Sequence, residues 1–219
     1  MSKKEKWNKL YDRPGFFYGS EPMALLKDQW IRLRKGKVLD LAMGEGRNAV
    51  FLAQQGFQVI GFDVSDVAIE KAKKLAYEKN VSIETKVADL DLYLFPVLGF
   101  DSIILSYFKP PSRYYNEIVR ALAQGGMVVI ESYTTDQLTR EPVVGFENQD
   151  YFYPNEILKN FKDLQILFYN EGEIGGKWIV QCIAKKPTDK DAIKYGFAKG
   201  DLNENKGRFK SAEDLFKKK

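Results

Sequence analysis

The chain of 219 residues contains no histidine. That removes the commonest general base and the commonest transition-metal ligand, so any proton acceptor must be Asp, Glu, Tyr, Lys or water. Cysteine is nearly missing as well. The single Cys182 cannot close an internal disulfide, which fits a reducing compartment, and without a Cys/His cluster no zinc site can be assembled. Cys182 falls in an alternating strand pattern and reads as a packed side chain. No stretch approaches the ~18 apolar residues of a membrane span, and the opening MSKKEK leads into no apolar signal-peptide core. The expectation is a cytoplasmic protein with no metal and no membrane partner.

What is present is an ordinary globular composition, 44% apolar and 29% charged, long enough for one domain with a substantial core. The formal charge of +4 is unevenly spread. Residues 185–219 hold 11 Lys or Arg against 6 Asp or Glu, so the rest of the chain is close to neutral and argues against a broad nucleic-acid surface. We expect an aromatic, helical lid over residues 1–36, a core over 37–187 and a basic, solvated tail over 188–219. Contact between that tail and an acidic partner stays open.

The chemistry is concentrated in VLDLAMGEGRNAVFLAQQGFQVIGFD, Val38 to Asp63. Val38 to Leu41 is a short apolar run bounded by turn residues, the mark of a parallel strand buried on both faces. Gly44 and Gly46 let the backbone turn sharply and approach a ligand with no Cβ in the way. Asn48 to Ala53 continue as a helix whose first N–H groups face that ligand. The next strand, Gln58 to Phe62, delivers Asp63, whose carboxylate suits a ribose diol. The frame takes an adenosine-containing cofactor. GEGRNA satisfies the dinucleotide pattern G-x-G-x-x-[GA], with Asp63 17 residues past Gly46. Asp40, however, stands four residues before Gly44, where an acid favours a cationic cofactor and repels a pyrophosphate.

Along the rest of the chain the pattern alternates. Ser2 to Glu5 form a capping box before a helix carrying Trp7, Leu10 and Tyr11. A Gly-, Pro- and aromatic-rich loop leads to Ser20, read as the cap of a helix over 21–33. Ser65 caps a helix reaching Lys79. Strands are expected over 81–88, 100–105 and 127–132, helices over 112–123 and 155–161, and a turn at Gln124–Gly126. An antiparallel pair over 164–169 and 178–184 is joined through EGEIGGK, and Ser211 to Asp214 start a last short helix. Strands and helices alternating at this spacing mean α/β with a mostly parallel sheet.

D-x-A-x-G-x-G at Asp40 to Gly46 resembles motif I of the class I S-adenosylmethionine-dependent methyltransferases, with Ala42 in place of the usual first glycine. The resemblance runs over roughly residues 7–187. It implies a single-domain, Rossmann-like, seven-stranded, mostly parallel sheet with a C-terminal antiparallel hairpin and helices on both faces. It also implies S-adenosyl-L-methionine as cofactor, with S-adenosyl-L-homocysteine as product. By that likeness Asp40, Ala42, Gly44, Gly46, Arg47 and Asn48 form the glycine-turn wall. Asp63 and Val64 meet the ribose, Asp89 and Leu90 the adenine, and Ser106 at the end of the fourth strand lies under the methionine moiety. Leu122 to Gly126 resembles the family's L-x-x-G-G turn.

Within that family, GEGRN with FLAQQGFQVIGFDVS, and Trp7, Tyr11, Tyr18, Gly19, Glu21 and Pro22 before it, are similar to the tellurite-resistance and thiopurine-type enzymes, which act on small molecules. The expected reaction is in-line methyl transfer to a small-molecule acceptor, at a soft S, Se or Te atom or at O or N. Alternatives are an RNA methyltransferase using the basic tail and a non-catalytic cofactor-binding protein. The segment Tyr107-Phe108-Lys109-Pro110-Pro111-Ser112-Arg113 departs from the histidine-bearing stretch of those relatives. It also differs from the N-P-P-Y of amino-group methyltransferases. Tyr18, Tyr107, Lys109, Arg113 and Tyr133, with Glu131, are the candidate acceptor-cleft residues; no catalytic residue is assigned.

Overall fold

A computed structural model describes residues 1–90 and 95–191. Residues 1–186 form one compact unit. Of the remainder, only a turn in which the Thr188 amide and hydroxyl donate to Asp191 lies within the described residues. The expected helix at Ser211 and the basic tail beyond Asp191 fall outside them.

The sheet is made of β1 (Lys37–Leu41), β2 (Gln58–Asp63), β3 (Glu84–Val87), β4 (Phe100–Ser106), β5 (Leu122–Tyr133), β6 (Gln165–Ile174) and β7 (Lys177–Lys185). Their order across it is β3-β2-β1-β4-β5-β7-β6, with β7 antiparallel to both neighbours. The strands follow a period of two into two cores. Leu39, Leu41, Ile103, Leu105, Val128, Ile130 and Cys182 face one side, where α5 (Tyr114–Ala121) and α7 (Glu156–Asn160) pack. Val38, Ile104, Val129 and Ile183 face the other, against α2 (Ala24–Gln29), α3 (Arg47–Gln54) and α4 (Asp66–Glu78). Side chains alternate across a strand, so apolar residues at every position mean burial on both faces. Strand order reverses between β1 and β4, which opens a crevice at the carboxyl ends of β1, β2 and β4.

Local chemistry sets the element ends. The Ser2–Glu5 capping box opens α1 (Lys3–Tyr11), and Ser65 Oγ accepts the Ala68 amide to cap α4. Several boundaries differ from the sequence reading. The helix expected over 21–33 begins only at Ala24 and gives way to a 3-10 turn over Trp30–Arg32. Pro22 biases Glu21 away from helical geometry, and the Met23 amide donates to Asn48 Oδ1 at 2.9 Å. β3 starts at Glu84, because the Val81 amide closes the end of α4 on the Ala76 carbonyl. Gly125 and Gly126 do not form a free turn. They lie in a bulge of β5, where register with β4 jumps from Phe100–Leu122 to Ser102–Met127, and they bond to the backbone of Lys186. The β6–β7 turn narrows to Gly175 and Gly176, with φ of 59° and 77°, as a two-residue hairpin of primed type requires. α6 (Thr135–Arg140) was not expected, since TDQLTR has no apolar stripe.

Candidate cofactor and acceptor site

The glycine turn after β1 is built from three left-handed residues, Ala42, Gly44 and Gly46, with φ of 53°, 55° and 83°. Alanine bears that conformation at a cost glycine avoids. A Cβ on Gly46 would stand 2.6 Å from the Ala72 Cβ, so glycine there lets α3 approach α4. A Cβ on Gly44 would stand 2.9 Å from the Tyr11 hydroxyl. Asp63, at the end of β2, accepts the Gly44 amide on Oδ2 and the Ser65 amide on Oδ1, both at 2.8 Å. It thereby fastens the second strand to the turn. Burial pushes its pKa up to about 6, against the pull of those amides.

Asp40 lies deeper. It is fully buried, and neither carboxylate oxygen has a hydrogen-bond partner. Burial raises its pKa to about 7, with the Arg47 guanidinium as the main opposing influence. The Ala49 amide opposes the shift as well, and a cation near such a buried acid would favour its charged form.

Ala42, Gly44 and Asp63 border a cavity of about 740 Å³, within the ~300–1,000 Å³ range of ligand pockets. At one end its wall is Ala42, Gly44, Asp63, Val64, Asp89, Leu90 and Ser106. At the other, past the end of β4, it is Tyr107, Phe108, Lys109, Pro110 and Pro111, faced by Phe146, Tyr153 and Glu156. Trp7 and Tyr11 of α1 roof it, stacked at 5.7 Å. Lys6 reaches Glu147 across the mouth at 2.6 Å, and the Tyr18 hydroxyl donates to the Val144 carbonyl at 3.3 Å.

Tyr107 holds the left-handed φ of 52°, a strained state for a bulky side chain and one that clusters at functional sites. Glu131 fixes it twice, accepting its amide on the backbone carbonyl at 2.7 Å and its hydroxyl on Oε1 at 2.9 Å. Burial first, then Glu131, raises the Tyr107 pKa far above that of an ordinary phenol, and burial likewise raises those of Tyr11 and Tyr18.

Of the sequence candidates, the cavity wall includes Ala42, Gly44, Arg47, Asn48, Asp63, Val64, Asp89, Leu90, Ser106, Tyr18, Tyr107 and Lys109. Arg47 and Asn48 spend their visible bonds on the N-terminal segment, Arg47 on the Tyr18 carbonyl at 3.0 Å and Asn48 on Met23. Off the wall are Asp40, buried one layer behind, and Gly46, facing Ala72. Arg113 lies over the Tyr114 ring at the exposed start of α5. Tyr133 is packed behind Tyr107 at 4.7 Å. Glu131 is buried too, accepting the Leu25 amide and the Gln181 side chain on Oε2. Sequence reasoning missed Glu45, which accepts the Phe17 amide and pairs with Lys71 at 2.9 Å. It also missed the whole 146–156 wall; the only signal was the aromatic and acidic mixture FENQDYFYPNE.

Residues 38–126 match the family described as "Methyltransferase domain". Over that stretch the chain carries a methyltransferase domain, similar to those of S-adenosylmethionine-dependent enzymes. It is 27% identical over 141 residues to the "Probable S-adenosyl-L-methionine-dependent methyltransferase TehB" of Haemophilus influenzae, covering 62% of this chain and 48% of that protein. The chain thus spans about half the length of that relative. It is 33% identical over 102 residues to the 2-heptyl-1-hydroxyquinolin-4(1H)-one methyltransferase of Mycobacteroides abscessus, 43% of this chain and 45% of that one. Among solved structures, the fold is shared with crystalline TehB from Haemophilus influenzae. The TM-score is 0.61 at 21% identity, over 84% of this chain and 67% of that one. Within residues 38–126 the turn has no Cβ at Gly44, Asp63 binds its backbone from the end of β2, and the Asp40 carboxyl is buried behind it.

Proposed function

We propose that the protein transfers a methyl group from S-adenosylmethionine to a small-molecule acceptor. The observation that carries this reading is the single roofed cavity joining the glycine turn to the Tyr107–Glu156 end. The named acceptor of the Mycobacteroides abscessus relative, a quinolone, agrees with it. Asp63 and Val64 would hold the ribose, Asp89 and Leu90 the adenine, and Ser106 the methionine portion.

When bound, S-adenosylmethionine supplies an electrophilic methyl on a sulfonium, and the departing thioether needs no proton. The chain's own task is therefore to align and to dry. Trp7 and Tyr11 close the roof, and the rings at the far end exclude water. Tyr107, locked by Glu131, fixes the floor between the two ends. A mouth bridged by Lys6 and Glu147 admits a small molecule more readily than a polynucleotide.

The reading is tested by incubating the full chain with methyl-labelled S-adenosylmethionine, a pool of phenols and thiols, and total RNA and DNA. Label is expected in the small-molecule fraction. Label confined to nucleic acid would overturn the acceptor class.

A further inference from the structure

At the end of the cavity away from the glycine turn, Lys109, one of the acceptor-cleft candidates, forms an ion pair with Glu156. Lys109 Nζ lies 2.7 Å from Glu156 Oε2 and 2.9 Å from the Tyr151 carbonyl. Its charge also stands over the Phe152 and Tyr153 rings, at 5.3 and 5.0 Å. Glu156 Oε2 accepts the Tyr153 amide as well, at 2.9 Å. The side chains are only 12% and 18% exposed, yet both residues line the cavity. Three ammonium protons with two acceptors leave one donor over, and Glu156 Oε1 has no partner among the described residues.

The other acids on the wall have other places. Glu45 holds Lys71 and the Phe17 amide, Asp63 holds the glycine turn, Glu147 holds Lys6, Asp150 accepts the Glu147 amide, and Asp89 stands at the glycine-turn end with the adenine role proposed above. Burial raises the pKa values of the Tyr18 and Tyr107 hydroxyls, which disfavours either as a base. Resting on the methyltransferase reading, we propose that Lys109 and Glu156 form the acceptor subsite, that Glu156 is the catalytic base, and that the acceptor is a neutral hydroxyl or thiol on a flat, largely apolar frame.

The pair offers one donor beside one acceptor, which matches a group that is itself both. It is also neutral as a pair, so a carboxylate or an ammonium entering this corner would bring an uncompensated charge into a site walled by rings. In the reaction the acceptor O or S lone pair forms the bond to the methyl carbon. The carbon–sulfonium bond breaks, with its electron pair staying on sulfur. The O–H or S–H proton passes to Glu156 Oε1, and Lys109 holds the developing negative charge on the acceptor atom.

The test uses the full chain saturated with S-adenosylhomocysteine and four probes of one shape: naphthol, its methyl ether, naphthoate and naphthylmethylamine, titrated by fluorescence. Naphthol is expected to bind best, about tenfold tighter than either charged probe, and Glu156→Gln and Lys109→Met each to weaken it about tenfold. The ether should not distinguish wild type from Glu156→Gln. With S-adenosylmethionine, Glu156→Gln should lower kcat for naphthol at least ~100-fold with a much smaller change in KM. Tightest binding of a charged probe, or Glu156→Gln turning over like wild type, would overturn the subsite. So would failure of naphthol to bind a complex that does hold S-adenosylhomocysteine. Failure of the wild type to bind S-adenosylhomocysteine at all would instead overturn the methyltransferase reading beneath it.

Discussion

The two ends of the cavity are built by different means. The glycine-turn end is a backbone device: three left-handed residues, two amides fixed by Asp63, and a buried acid behind them, all within Asp40–Ser65. The far end is a side-chain device drawn from β4's end, β5 and the 146–156 segment, joined by Tyr107–Glu131 and Lys109–Glu156. A turn of fixed shape serves one cofactor for every member of a family, whereas side chains on separate segments can be exchanged to change the acceptor. The first should respond to substitution through backbone geometry, the second through lost hydrogen bonds.

The largest effect is expected from Gly46→Val. It places a branched side chain at positive φ and against Ala72, and should cost about 4 kcal/mol in denaturant unfolding. Glu131→Ala comes next, at about 3 kcal/mol. It leaves the Tyr107 hydroxyl, the Leu25 amide and the Gln181 amide side chain without their acceptor. If the ends are independent, the two losses should add.

The third concerns pH. Asp40 and Asp63 have folded pKa values raised to about 7 and about 6 from 3.8. The folded state therefore holds protons that the unfolded state has released, so stability of the cofactor-free protein should fall as pH rises from about 4 to 7 and then level off. Asp40→Asn should remove much of that slope and stabilise the protein at pH 8 by about 2 kcal/mol. Smallest, Ala42→Gly should relieve left-handed strain and change stability by less than about 1 kcal/mol. Thermal unfolding across pH checks both.

Legibility in the sequence follows the same division. The glycine turn, Asp63 and the Ser65 cap were readable because each is a local pattern in which one stretch supplies both partners of the interaction. The parallel sheet was readable because its central strands β1 and β4 are apolar on both faces. The far wall was legible on one side only: Tyr107 and Lys109 were expected beyond the fourth strand, but Glu156 was not, since it reaches Lys109 only by the packing of α7 against the sheet and no spacing announces such a pair. Asp40 was legible as an acid at the end of the first strand but not as a fully buried one. Arg47 and Asn48 were legible as neighbours of the turn but not as anchors for residues 18–23. The helix expected from Ser20 failed because the stronger signal was Pro22 beside it.

The central claim is that Asp63 and the glycine turn hold an adenosine cofactor at the head of this cavity. Calorimetric titration of wild type and Asp63→Ala with S-adenosylmethionine and S-adenosylhomocysteine, beside NADH, tests it most directly. The account predicts that both sulfur ligands bind wild type, that NADH does not, and that Asp63→Ala loses at least ~100-fold in affinity while remaining folded. Equal binding by wild type and Asp63→Ala, or binding of NADH alone, would contradict it.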